Sequence, residues 1–131
     1  MSQSDELTWS LLTHVGPLLI AFLSVPGFLF PLVVMFTKGK QSERVRRESV
    51  EALNFHLNVF AYAIVLLAGV IVTGVVSLIN QVNGELPGTA LLFIGAFIVL
   101  GLLAFVMPIV AASRIAANKA FRYPLIFRVV K

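Results

Sequence analysis

Cysteine is absent from the 131-residue chain. Disulfides, thiolate nucleophiles, iron–sulfur clusters and zinc–thiolate sites are excluded with it. Acid is scarce: Asp and Glu number six against ten Lys and Arg, and Asp5 is the single aspartate. Paired carboxylates within the apolar segments and a Ser–His–Asp order are both missing. The run Lys38-Gly39-Lys40-Gln41-Ser42 lacks the spaced glycines of a phosphate-binding loop. No catalytic set emerges. The chain reads as a non-enzymatic protein with no cofactor and no metal site.

Charge of either sign is missing from three long segments, 7–37, 52–84 and 86–113. All ten basic residues lie in two clusters between or after them. Lys38, Lys40, Arg44, Arg46 and Arg47 form one; Arg114, Lys119, Arg122, Arg128 and Lys131 form the other. With 59% hydrophobic residues, 12% charged and a mean hydropathy of +0.97, a chain this short cannot hide its apolar surface in a water-soluble core. Lipid is the expected solvent. The expected architecture is an all-α, polytopic helical bundle, one transmembrane domain over 1–131 with apolar segments at about 8–37, 50–82 and 89–117. The net charge of +4 follows the positive-inside bias, and no recognition motif for nucleic acid accompanies it. The expected location is therefore the bacterial cytoplasmic (inner) membrane, multi-pass, with the basic loop 38–49 and the C-terminus cytoplasmic. The 81–89 loop, which holds Glu85, then faces outside. The first residues lack the basic n-region of a cleavable signal peptide.

Pro26-Gly27 breaks the first segment into a longer piece up to about Ser24 and a short one from Phe28 to Thr37. Two arrangements fit: one kinked crossing, or a re-entrant hairpin whose freed backbone groups are covered by other helices. The shortness of the second piece favours the kinked crossing, with the N-terminus outside. The second segment predicts one helix over 50–82, ending at the Asn83-Gly84 turn. Pro108 is expected to kink the third near Ala104.

At 100° per residue, Glu51, Asn54, Asn58, Tyr62 and Thr73 share one stripe of the second helix. Such a stripe avoids lipid. It either packs against another helix or partner chain, aided by the small residues Gly69, Thr73 and Ser77, or lines a conduit in an oligomer. Glu51 is expected to cap the start of its helix and to pair with Arg47. His14 and His56 are candidate intramembrane polar groups. No acid or sulfur neighbour is evident in sequence for a metal site, so neutral, hydrogen-bonded imidazoles are expected. Trp9, Arg44, Arg46, Arg47, Arg122, Tyr123 and Arg128 read as interfacial and topogenic residues, and the aromatic–basic tail 118–131 as an interfacial segment. Gly95 and Gly101 are expected contact points for a neighbouring helix. The expected partners are the lipid bilayer and other membrane proteins or further copies of the chain; nucleic acid is not expected.

Glu51-Ala52-Leu53-Asn54-Phe55-His56, following a basic loop, resembles the signature of a family of small bacterial membrane proteins of unknown function. That family is similar to the Tic-twenty component of the chloroplast inner-envelope import machinery. Further matches are Trp9, Leu12 and His14-Val15-Gly16, then Gly27-Phe28-Leu29-Phe30-Pro31. In the tail, Ala112, Ala116, Ala117, Phe121-Arg122-Tyr123-Pro124 and Arg128 match. His56 stands where Gln is common, and Ala120-Phe121 replaces a longer glycine-containing turn. The resemblance implies a bundle of three or four membrane helices and, through the plant relatives, a link to polypeptide translocation. For the bacterial members it implies no activity. The reading for this chain is a subunit or accessory of a larger membrane complex; the alternative is an oligomeric channel or transport component for a solute or polypeptide.

Overall fold

The computed structural model describes residues 1–21, 26–80 and 88–131. Among these it forms four helices: α1 (Gln3–Ala21), α2 (Leu29–Thr37), α3 (Glu43–Ile79) and α4 (Gly88–Ala116). The fold is all-α. The chain divides into two units. Unit 1 comprises Met1–Asn58 with Phe105–Lys131, and unit 2 comprises Val59–Ala104.

Local chemistry sets the helix ends. Ser2 and Asp5 form a capping box: the Ser2 hydroxyl accepts from the Asp5 amide at 3.2 Å, and the Asp5 carboxylate accepts from the Ser2 amide at 3.3 Å. The Ser2 hydroxyl also donates to the Asp5 carboxylate at 2.6 Å, which holds that carboxyl below the usual aspartate range. Ser42 starts α3, its hydroxyl accepting from the Val45 amide and donating to Glu6 Oε1 at 2.7 Å. This cap places the helix start seven residues before the expected Val50. Most of the supposed basic loop 38–49 is therefore the first turns of α3, and Glu51 lies two turns inside the helix. Asn118 closes α4 in the left-handed conformation (φ 55°). The amides of Asn118 and Lys119 reach back to the carbonyls of Ile115 and Arg114, the pattern of a Schellman stop.

In unit 1, α1 and α2 fold back on each other. Gly16 lies so close to the Phe30 ring that a methyl group there would overlap it, and Gly27 approaches Pro17. The Lys38 ammonium sits 5.0 Å from the centre of the Trp9 ring. A continuous helix would hold residues 16 and 30 about 21 Å apart. The pairings 17 with 27, 16 with 30 and 9 with 38 instead describe an antiparallel hairpin. The single kinked crossing is thus replaced by the hairpin; Val25, part of the expected break, lies outside the described residues. The start of α1, the end of α2, the start of α3 and the end of α4 meet at one end of unit 1. Glu6 touches Ser42 there, and Arg44 reaches the Ile115 carbonyl at 3.4 Å and Asn118 Oδ1 at 3.3 Å. Val45, Ala52, Leu53, Ala111, Ile115 and Tyr123 form the core. Gly39 is fixed by backbone: a Cβ there would strike the Met35 carbonyl.

Unit 2 is the remainder of α3 and the first part of α4. Gly69 faces the Phe93 ring with no room for a methyl group, so the two helices approach closely at a small residue. Their other faces are exposed, with Leu78 80% and Leu92 75% accessible. Both α3 and α4 are long and apolar enough to cross a membrane. Of the most apolar 18 residues of each, 0% and 6% respectively are buried. The core helix of a soluble protein would be mostly covered; these match membrane spans, whose surrounding solvent is hydrocarbon. A Cβ at Gly95 or Gly101 would meet nothing within 4 Å among the described residues, so neither is a contact point with them. Helix α4 continues through Pro108. The Asn83-Gly84 turn lies outside the described residues.

Candidate functional site

The polar stripe of α3 holds the chain's own tail. Asn54 is fully buried. Its amide donates to the Val130 carbonyl at 2.9 Å, and its Oδ1 accepts from the amides of Val129 and Val130 at 2.9 and 2.8 Å. One turn on, Asn58 donates to the Phe127 carbonyl at 2.7 Å and accepts from the Phe127 amide at 2.9 Å. Each carboxamide offers a donor and an acceptor side by side, so it satisfies an extended backbone as a neighbouring strand would. Glu51 completes the row. Its Oε1 accepts from the Tyr123 amide at 2.9 Å and from Arg128 Nη2 at 2.9 Å.

Several expectations change accordingly. Among the described residues, the partner of Glu51, Asn54 and Asn58 is the tail rather than another helix. Glu51 pairs with Arg128 and does not cap its helix. Arg47 instead meets Glu48 at 3.1 Å. Thr73 bonds the Gly69 and Val70 carbonyls of its own helix, the usual local satisfaction of a helical threonine. Tyr62 is part-exposed in unit 2. Arg46 and Arg122 are exposed.

Tyr123 is no interfacial residue. It is 2% exposed, stacked on Phe55 with centroids 4.0 Å apart and planes at 15°, and met edge-on by Phe121. Burial pushes its phenol up from the usual tyrosine range, helped by the carboxylates of Glu51 and Glu48. The hydroxyl lies 2.8 Å from His14 Nδ1, and His14 Nε2 lies 3.4 Å from Glu48 Oε2. With the phenol donating to Nδ1, Nε2–H faces the carboxylate. His14 therefore has the acidic neighbour the sequence did not reveal, supplied across 34 residues. His56 turns away from this row and bonds the Ala52 carbonyl at 2.8 Å. Thr13 reaches Ser49 at 3.2 Å, while Ser10 Oγ is buried with no hydrogen-bond partner among the described residues. No group of three or more His, Asp or Glu able to hold a metal ion occurs among the described residues.

The arrangement orients and locks. Histidine, tyrosine and glutamate fix α1 to α3 and the tail, and two asparagines fix the tail's last stretch. Sequence reasoning missed Glu48 and the docking role of Phe127, Val129 and Val130. Their signal was slight, because the tail contributes main-chain atoms rather than side chains.

No curated protein and no solved structure matches the chain. The likeness to the chloroplast import component draws no support from comparison with known proteins. A family model does match, and it spans nearly every residue described above, from the α1 capping box to the docked tail. The chain belongs to the magnetosome magnetite crystal formation protein family, MamF/MmsF, matched over residues 5–130.

Proposed function

We propose that this small membrane protein serves magnetite crystal formation as a non-enzymatic component of a larger membrane assembly. The family match over 5–130 carries the reading. The exposed apolar faces of α3 and α4 suit a lipid-embedded anchor, and the locked body of unit 1 suits a rigid docking element. Deleting the gene in its magnetite-forming host should alter crystal size or shape, and the wild-type gene should restore it. Crosslinking in native membranes should capture neighbouring membrane proteins. Crystals indistinguishable from wild type would refute the role, and recovery of the protein only as an isolated monomer would refute the assembly.

In the orientation we propose, the end of unit 1 bearing both basic clusters faces the cytoplasm. The hairpin brings the N-terminus to that same side, supported by Lys38 over Trp9 and Ser42 on Glu6. Because the chain has no cysteine, Ser2→Cys, Lys119→Cys and Asn83→Cys each give a single label site. The first two should react from the cytoplasmic face of sealed vesicles and the third from the other. Labelling of Ser2→Cys and Lys119→Cys from opposite faces would overturn this orientation.

A further inference from the structure

We infer that unit 1 carries a binding site for a phosphate-bearing anion, formed between the first turns of α3 and the docked tail. A bowl of about 630 Å³ opens there. Five cations line it: Arg46 and Arg47 from α3, and Arg122, Arg128 and Lys131 from the tail. Glu43, Glu48 and Glu51 line it as well. Two of these carboxylates are already engaged, Glu48 with Arg47 at 3.1 Å and Glu51 with Arg128 at 2.9 Å. Among the described residues Arg46, Arg122 and Lys131 make no ion pair. A smaller hollow of about 460 Å³ shares Glu43, Arg46 and Lys131 with it and adds Lys40, leaving three cations to one carboxylate there. The excess charge therefore sits where two concavities meet, and guanidinium groups are suited to bidentate recognition of phosphate.

Two further features give the bowl its character. Its walls are held in place before any ligand arrives, since Asn54, Glu51 and Tyr123 fix the tail against α3. Fixed walls reduce the ordering cost of binding. The bowl also spans residues 43–54 of α3, the stretch in which the charge-free run begins at Ala52, and Val50, Phe121 and Val130 share its lining. Cations beside apolar side chains at the edge of a membrane span match the headgroup and glycerol region of an anionic phospholipid. An inorganic phosphate would use the same guanidinium groups and ignore the apolar wall.

The test uses the full-length protein in a neutral detergent, titrated with short-chain phosphatidylglycerol, short-chain phosphatidylcholine or inorganic phosphate, with thermal melting as readout. Phosphatidylglycerol should raise the melting temperature saturably, and R46Q/R122Q should weaken that apparent affinity roughly 30-fold, the loss expected for two basic residues at an anionic surface. R114Q, which alters an exposed cation outside the bowl, should bind as wild type. Saturation by phosphatidylglycerol alone assigns the lipid headgroup. Saturation by inorganic phosphate as well supports the same site with a soluble source. If the double variant melts without cooperativity, R122Q alone tests the point, since Arg122 is exposed. Equal stabilisation by phosphatidylcholine, or full affinity in the variants, would overturn the inference.

Discussion

Replacing Asn54 and Asn58 together by leucine should release the end of the tail while leaving the helices intact. Leucine keeps asparagine's branched heavy-atom skeleton while removing its donor and acceptor, so the hydrogen bonds are what the change takes away. Five side-chain bonds to tail backbone are lost: three from Asn54 and two from Asn58. At about 1 kcal/mol net each, the gross loss is about 5 kcal/mol. Phe127 and Val129 are 72% and 73% exposed, so water recovers part of this when the tail lifts. A net weakening of about 3 kcal/mol corresponds to roughly two orders of magnitude in the opening equilibrium. Hydrogen exchange reads it directly, because the amides of Phe127, Val129 and Val130 donate to the two carboxamides. Exchange there should accelerate about a hundredfold. Amides in the middle of α4 should keep their protection. In Asn54→Leu alone the effect should fall on Val129 and Val130 more than on Phe127. Unchanged protection of all three amides in the double variant would refute the latch.

Other outcomes follow from the same geometry. Tyr123→Phe should cost about 1 kcal/mol by removing the bond to His14 while keeping the stack on Phe55; a melting temperature equal to wild type would contradict this. Because the folded state holds that phenol protonated, its contribution is complete below pH 10 and declines above it, where the unfolded chain loses the proton and the folded chain does not. Melting curves from pH 9 to 11 should therefore show an alkaline loss that shrinks in Tyr123→Phe. Gly16→Ala should destabilise by about 1–3 kcal/mol through its clash with Phe30, whereas Gly74→Ala, with nothing within 4 Å, should be neutral or slightly stabilising in detergent. Glu51→Gln should lower stability by about 1 kcal/mol, a modest cost because Arg128 is part-exposed; added salt should narrow the difference from wild type.

The local rules carried much of the fold. Charge-free runs located α3 and α4, and the 51–54–58 spacing placed Glu51, Asn54 and Asn58 on one helix face. The failures have physical causes. The short α2 argued for a kinked crossing because only its length was weighed; the close approach of Gly16 to Phe30 depends on tertiary packing. The start of α3 was placed late because charge in 43–49 outweighed the Ser42 cap. His14 reaches Tyr123 across 109 residues, a pairing that no periodicity expresses. The tail's aromatic and basic residues matched an interface by composition, while the asparagines that hold it address main-chain atoms that every residue carries.

Because Asn54 and Asn58 read peptide groups and not side chains, positions 127, 129 and 130 are free to drift among most amino acids without loosening the tail. Proline is the exception at all three, for each must supply an N–H that proline lacks. A saturation library over these sites should tolerate wide diversity and be purged of that one imino acid.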